Sequence, residues 1–118
     1  MEAIDLRQKF TKINETWQPK IIASLNENYV KLAKLKGDFI WHQHEREDEL
    51  FLVVRGNLVI ELRDKVVRLN EGDLVVIPRG MEHRPIAEEE VWVMLVEPQT
   101  TVNTGNITNE RTVSAEWI

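Results

Sequence analysis

The sequence predicts an all-β protein built as a single sandwich or barrel domain. Short apolar runs recur roughly every 8–12 residues, and turn-forming residues separate them. No amphipathic stretch is long enough to supply the helices of βαβ units, which argues against a parallel sheet. The chain has 118 residues, which suits one compact domain. We therefore expect a closed barrel or sandwich that follows a short helical or irregular N-terminal segment.

The expected elements follow from the apolar runs and the turns between them. Leu6 and Phe10 are four residues apart, which predicts a short helix over 5–12 ahead of Pro19. The predicted strands are 21–25, 29–35, 39–44, 50–54, 58–62, 66–69, 74–77 and 91–96.

Two turns and three regions complete the expected organisation. The sequence Arg-Gly-Asn at 55–57 predicts a hairpin turn, and Ala-Glu-Glu-Glu at 87–90 predicts an exposed turn. We expect an N-terminal extension over 1–20, the barrel over 21–98 and a polar tail over 99–118. The tail has little to bury by itself, so its terminal Trp117 and Ile118 suggest packing on the barrel or on a second subunit.

The composition excludes several classes of function. The net charge is -5, which argues against nucleic acid as a partner because phosphate binding needs a basic surface. The absence of cysteine excludes a thiolate zinc site and a cysteine nucleophile. No apolar run approaches the ~20 residues needed to span a bilayer. The N-terminus carries acidic residues and no apolar signal region, so the expected location is the cytoplasm.

The segment WHQHEREDELF, residues 41–51, contains two of the three histidines of the chain. It is either a polar loop or a set of metal ligands. In a strand, His42 and His44 would point to the same face. Glu49 begins the next predicted strand and can point back to that region. Imidazoles joined by a carboxylate suit a divalent Fe, Mn, Zn, Ni or Co ion.

Two sequence motifs resemble those of the cupin family. They cover residues 37–87, and all three histidines fall on motif positions. One fewer residue than usual precedes His42, and Ala87 stands where the pattern often has Asn. The matching residues are Gly37, His42, His44, Glu49 and Gly56 in the first motif, and Gly72, Pro78, Gly80 and His83 in the second.

The resemblance implies a jelly-roll barrel with a metal ion inside its mouth. Carried over to this chain, the implied ligands are His42, His44, Glu49 and His83. Small cupins are commonly homodimers, so the resemblance also implies a dimer. Trp41 has the parity opposite to that of the two histidines beside it, which places an aromatic ring on the outside, where it would suit such an interface.

Strand parity also predicts the surroundings of the ion. Phe51 and Val53 share the parity of Glu49, Met81 shares that of His83, and Ile40 should lie below His42. These four residues are expected to line a mostly apolar pocket. The cations available to an anionic substrate are Lys31, Lys34 and Arg84, although their expected place is the surface.

Three functions remain open at this point. The first is a metal-dependent enzyme on a small polar or anionic molecule: an oxygenase if the ion is iron, or a sugar-isomerase-like or lyase-like enzyme if the ion acts as a Lewis acid. The second is a non-catalytic module that binds a small molecule. The third is a structural barrel, which the short chain and the intact ligand set disfavour.

Overall fold

The computed structural model describes all residues, 1–118, as a β-barrel with one short helix at its start. The all-β, single-domain prediction is confirmed. No helix in the chain has the length and apolar character that crossing a membrane requires. The elements are α1 (Leu6–Phe10), β1 (Lys20–Leu25), β2 (Asn28–Asp38), β3 (Glu49–Arg55), β4 (Leu58–Leu62), β5 (Val66–Leu69), β6 (Leu74–Ile77), β7 (His83–Pro98) and β8 (Glu116–Trp117).

The long strand β7 joins the two walls of the barrel. One wall has the order β5-β4-β7-β2-β1-β8, and the other consists of β6 and β3, with β3 also paired to β7. The first residues of β7 pair with β4, and its later residues lie between β2 and β3. Because β7 contacts three strands, the side chains of its inward face meet those of both walls.

The barrel interior follows the period-2 alternation of the strands. Every second residue of β7 is buried, apart from the stretch 88–90, and β3 shows the same alternation. The apolar members form one cluster: Ala33, Leu35, Phe51, Val53, Leu58, Ile60, Leu69, Ile77, Ala87, Val91, Val93 and Leu95.

The helix α1 closes a second, smaller apolar cluster on the outside of the sheet. The side chain of Asp5 caps the helix by accepting a hydrogen bond from the backbone N–H of Gln8. Phe10 is fully buried and stacks on Trp92 with ring centroids 4.6 Å apart. The N-terminal extension therefore packs on the barrel, and Phe10 covers Trp92 within the same chain.

The predicted strand over 39–44 is wrong. Phe39 donates one backbone hydrogen bond to Pro85 of β7, and beyond it only His42 pairs with β7, through an isolated bridge to His83. The neighbouring carbonyl groups accept from loops instead: Gln43 from the N–H of Asn106, and His44 from the N–H of Gly80. The segment has no continuous partner strand, so it remains irregular.

The predicted turn over 87–90 is also wrong, because these residues belong to β7. The pairing of β7 with β2 shifts register between Gly37↔Ala87 and Leu35↔Val91. The three glutamates at 88–90 lie in this irregularity and are exposed, as the sequence indicated.

The polar tail lies against the mouth of the barrel. Gln43 and Asn106 exchange two hydrogen bonds, one from each backbone N–H. Farther along, β8 pairs in parallel with the start of β1. Thr104, between these contacts, is fully buried. The tail thus places residues of 99–115 beside the segment that carries His42 and His44.

Candidate metal centre

Three separate parts of the chain bring His42, His44, Glu49 and His83 together. The two backbone hydrogen bonds between His42 and His83 fix the relative position of these residues. Glu49 is the first residue of β3, and His83 is the first of β7. All four are buried, with exposed fractions of 4%, 3%, 5% and 0% in chain order.

The three imidazole rings and the carboxylate face one another. One nitrogen from each histidine lies within 4.8 Å of the others, so the three could hold one metal ion. The Nε2 atom of His44 is 3.6 Å from Oε2 of Glu49, and the Nε2 atom of His83 is 3.5 Å from Oε1 of Glu49. Two ligands bound about 2.1 Å from one ion lie roughly 3.0–3.4 Å apart. The two histidine–carboxylate separations are therefore close to those of ligands on one ion.

Backbone contacts select the tautomer of two of the histidines. The Nδ1 atom of His42 is 2.9 Å from the carbonyl oxygen of Ile40, and the Nδ1 atom of His83 is 2.9 Å from that of Met81. Since a carbonyl only accepts, both Nδ1 atoms carry the proton and donate it. The Nε2 atom of each ring then offers its lone pair to the centre.

Burial keeps all three histidines neutral, which is the form that binds metals. Desolvation, followed by the charge of His83, lowers the pKa of His42 to about 3. Desolvation also lowers the pKa of His44 and of His83. The same cause raises the pKa of Glu49. A carboxyl group desolvated in this way gains from the arrival of a divalent ion.

The unpartnered atoms of the centre provide a test of whether an ion fits. Buried polar atoms normally have a hydrogen-bond partner. Here both ring nitrogens of His44, Nε2 of His83 and Oε1 of Glu49 are buried and have none. One nitrogen of each ring and the carboxylate of Glu49 offer lone pairs to the centre, and a divalent transition metal would satisfy them, whereas the second nitrogen of neutral His44 carries the proton. The residues present therefore fit the ion that the sequence resemblance implies.

The sequence analysis missed one polar residue of this region, Glu97, and misplaced another, Lys31. Lys31 was expected on the surface, but it is only 4% exposed. Its Nζ lies 2.9 Å from Oε1 of Glu97. Burial, and then the charge of Glu49, raise the pKa of Glu97 well above its ordinary value. Strand parity could have found both, because Lys31 alternates with Ala33 and Glu97 with Leu95 on inward faces.

A cavity of about 40 Å³, which we call the inner cavity, adjoins the centre. It has room for roughly three water molecules. Its polar lining includes His42, Glu49 and Glu97, and Phe51 lies in its apolar wall. Of the other residues expected there, Val53 lies fully buried in the core and Ile40 is half-buried. Met81 is 39% exposed and lies outside the lining, because only its backbone turns toward the site.

The remaining side chains singled out in the sequence make contacts within the chain. The ring of Trp41 lies 3.8 Å from the guanidinium carbon of Arg63. Arg84 donates to Glu61 through Nε at 2.8 Å, and Lys34 lies over Trp92. These contacts explain the positions of Trp41, Arg84 and Lys34, and the homodimer stays a prediction.

The fold and the site define a small jelly-roll barrel with a buried three-histidine centre in its mouth. The family model described as Cupin domain matches residues 28–103, which is more than half of the chain and includes both motifs. The chain therefore belongs to the cupin family.

Similar proteins are found among both solved structures and curated sequences. A cupin-2 domain protein from Shewanella frigidimarina has 43% identity and a TM-score of 0.80, covering 81% of this chain and 94% of that chain. The uncharacterised Bacillus subtilis protein YdbB is 41% identical over 64 residues, covering 53% of this chain and 57% of its own. An acireductone dioxygenase from Yarrowia lipolytica is 35% identical over 92 residues. The match covers 73% of this chain and 51% of that protein. The chain thus spans about half the length of the curated relatives it matches.

Proposed function

We propose that this cupin holds one divalent transition metal ion between His42, His44, Glu49 and His83 and acts there on a small, oxygen-bearing molecule. The candidate ions are Fe, Mn, Zn, Ni and Co. The observation that supports this proposal is that one nitrogen of each of the three histidines comes together in the barrel mouth, where buried atoms of His44, Glu49 and His83 have no partner. A bound ion would supply Lewis acidity, and iron would in addition allow reaction with dioxygen.

Among enzymatic reactions, we favour oxygenase chemistry. The inner cavity is small and is lined on one side by apolar residues such as Phe51, Val93 and Leu95. Such a wall excludes bulk water from the reacting atoms. The match to a protein named acireductone dioxygenase supports the same reaction class. A sugar-isomerase-like or lyase-like reaction and non-catalytic binding are the alternatives that the experiments must separate.

Metal content tests the proposed site. Protein stripped with chelator and then exposed separately to each candidate ion should retain close to one ion per chain after desalting. The double variant His42→Ala with His83→Ala should retain less than a tenth of that amount, since two of four ligands are lost. Glu82→Gln is the matched control, because Glu82 is next to His83 but pairs with Arg63 on the surface.

Retention by the double variant equal to that of the wild type would show that the ligand assignment is wrong. Oxygen uptake by the iron-loaded protein, measured with a panel of small hydroxy-ketones, diols and hydroxy acids, then tests the reaction class. Substrate-dependent uptake supports an oxygenase. Substrate loss without oxygen uptake favours an isomerase or lyase, and binding without turnover favours a binding module.

A further inference from the structure

A second cavity, which we call the outer cavity, lies between the polar tail and strands β1 and β2. Its volume is about 420 Å³, within the range of sites for small organic ligands. It shares Pro19 and Asn103 with the lining of the inner cavity, so the two cavities are neighbours. The Lys31–Glu97 pair lies at the same wall, since Lys31 lines the outer cavity and Glu97 the inner one.

The outer cavity has the charge and the hydrogen-bonding groups of an anion site. Lys31 is the only charged residue in its lining, and its partner Glu97 lies outside that lining. The other polar groups are hydroxyl and amide side chains, including those of Tyr29, Thr101, Thr112 and Ser114. A negatively charged molecule that carries hydroxyl groups would therefore find one cation and several neutral partners there.

Two of these groups have hydrogen-bonding capacity that the protein does not use. A lysine ammonium has three donors. The Nζ of Lys31 uses one of them on Glu97, although the side chain is only 5% exposed. The hydroxyl of Thr101 is buried and has no hydrogen-bond partner, and the residue is 8% exposed. Because unused buried donors are costly, their presence in one cavity points to a ligand with acceptor oxygens.

We propose that the outer cavity binds a small hydroxylated carboxylic acid, whose carboxylate accepts from Lys31 and whose oxygens pair with Thr101. The role of the acid rests on the proposed function: the acid would be the molecule that reaches the metal centre through the shared wall. Binding itself depends on Lys31 and Thr101, neither of which is a proposed metal ligand. It is therefore measured on metal-free protein.

Isothermal titration of the chelator-treated wild type with glycolate, D-glycerate and D-gluconate tests the proposal. D-Glucitol is the neutral control, because it has the hydroxyl groups of gluconate and no carboxylate. At least one acid should bind with a Kd below about 1 mM, and glucitol should bind at least tenfold more weakly. Absence of binding by all three acids up to about 10 mM, or equal binding of gluconate and glucitol, would overturn the proposal.

Variants then locate the site. Lys31→Gln retains a donor for Glu97 but loses the positive charge, and should weaken acid binding by about tenfold or more. Lys36→Gln on the same strand is the matched control, because Lys36 is exposed and outside the cavity, and it should bind as the wild type does. Thr101→Val leaves the Lys31–Glu97 pair intact and should weaken binding several-fold.

If Lys31→Gln does not fold, as judged by circular dichroism, Thr101→Val and the comparison of gluconate with glucitol decide the matter. Wild-type affinity in Thr101→Val, or in a folded Lys31→Gln, contradicts the proposal. Acid binding without metal retention would instead contradict the proposed function alone, so the two failures can be distinguished.

Discussion

At the residue scale, buried charged groups distinguish the mouth of this barrel from its apolar core. Glu49 and Glu97 have raised pKa values because both are buried, and their carboxyl groups are within hydrogen-bonding reach of each other. Lys31 is the buried cation that accompanies them. Replacing a buried ion pair with apolar residues of similar volume is often neutral or stabilising. Their presence is therefore better explained by binding than by stability.

Removal of Lys31 alone should destabilise the protein strongly. Lys31→Met leaves Glu97 buried without its partner, which we expect to cost about 3 kcal/mol. The double variant Lys31→Met with Glu97→Met should recover most of this loss, since neither charge is then left alone. Urea unfolding of the two variants and the wild type measures the difference. A double variant as unstable as Lys31→Met would contradict this account of the pair.

The low pKa of His42 predicts a pH-dependent loss of stability in the metal-free protein. The pKa is about 3 in the folded state against an ordinary value of 6.5, so the unfolded chain takes up a proton at pH values where the folded chain does not. The contribution is present above pH 6.5 and is lost as the pH falls. At pH 5 the loss amounts to about 2 kcal/mol.

His42→Gln should remove this part of the pH dependence. The raised pKa values of Glu49 and Glu97 act in the opposite direction, so the informative quantity is the difference between variant and wild type. Urea unfolding at pH 7 and pH 5 should show the wild type losing more stability than His42→Gln. Parallel curves for the two proteins would show that His42 is not kept neutral by burial.

At the element scale, the irregular segment and the tail hold each other in place over the centre. Gly105 has a φ of +57°, and a Cβ added there would overlap the carbonyl oxygen of Gln43. The same Cβ would lie 3.2 Å from Cδ2 of His42. The close approach therefore requires glycine, and it connects the tail directly to a proposed ligand.

Gly105→Ala should displace the tail and destabilise the protein by about 1–3 kcal/mol. Gly72→Ala is the matched control, since Gly72 has a φ of +85° but open space around it, and it should cost only about 1 kcal/mol. Thermal unfolding gives the stability, and the imidazole resonances of His42 report the displacement by NMR. A His42 spectrum that is unchanged in Gly105→Ala would contradict the proposed contact.

At the scale of the whole molecule, metal binding should be linked to folding. Ligands from three separate parts of the chain meet only when the barrel is closed, so the ion binds the folded state. An ion at 100 times its Kd should stabilise the protein by about 2.7 kcal/mol, which corresponds to several degrees in Tm. Calorimetry with and without the ion measures this shift. The double variant His42→Ala with His83→Ala should show none, and an equal shift in that variant would indicate binding elsewhere.

The sequence by itself determined the all-β fold, most strand positions and the four ligand candidates, because alternation and turn residues are local signals and the motif spacings are specific. It did not determine the path of the chain at 39–44, where the backbone hydrogen bonds are divided between β7 and distant loops. Nor did it reveal the burial of Lys31 and Glu97, or the exposure of Met81. Those depend on which strands pair and where the tail lies. Only the tertiary structure decides such long-range contacts, and here they create the outer cavity.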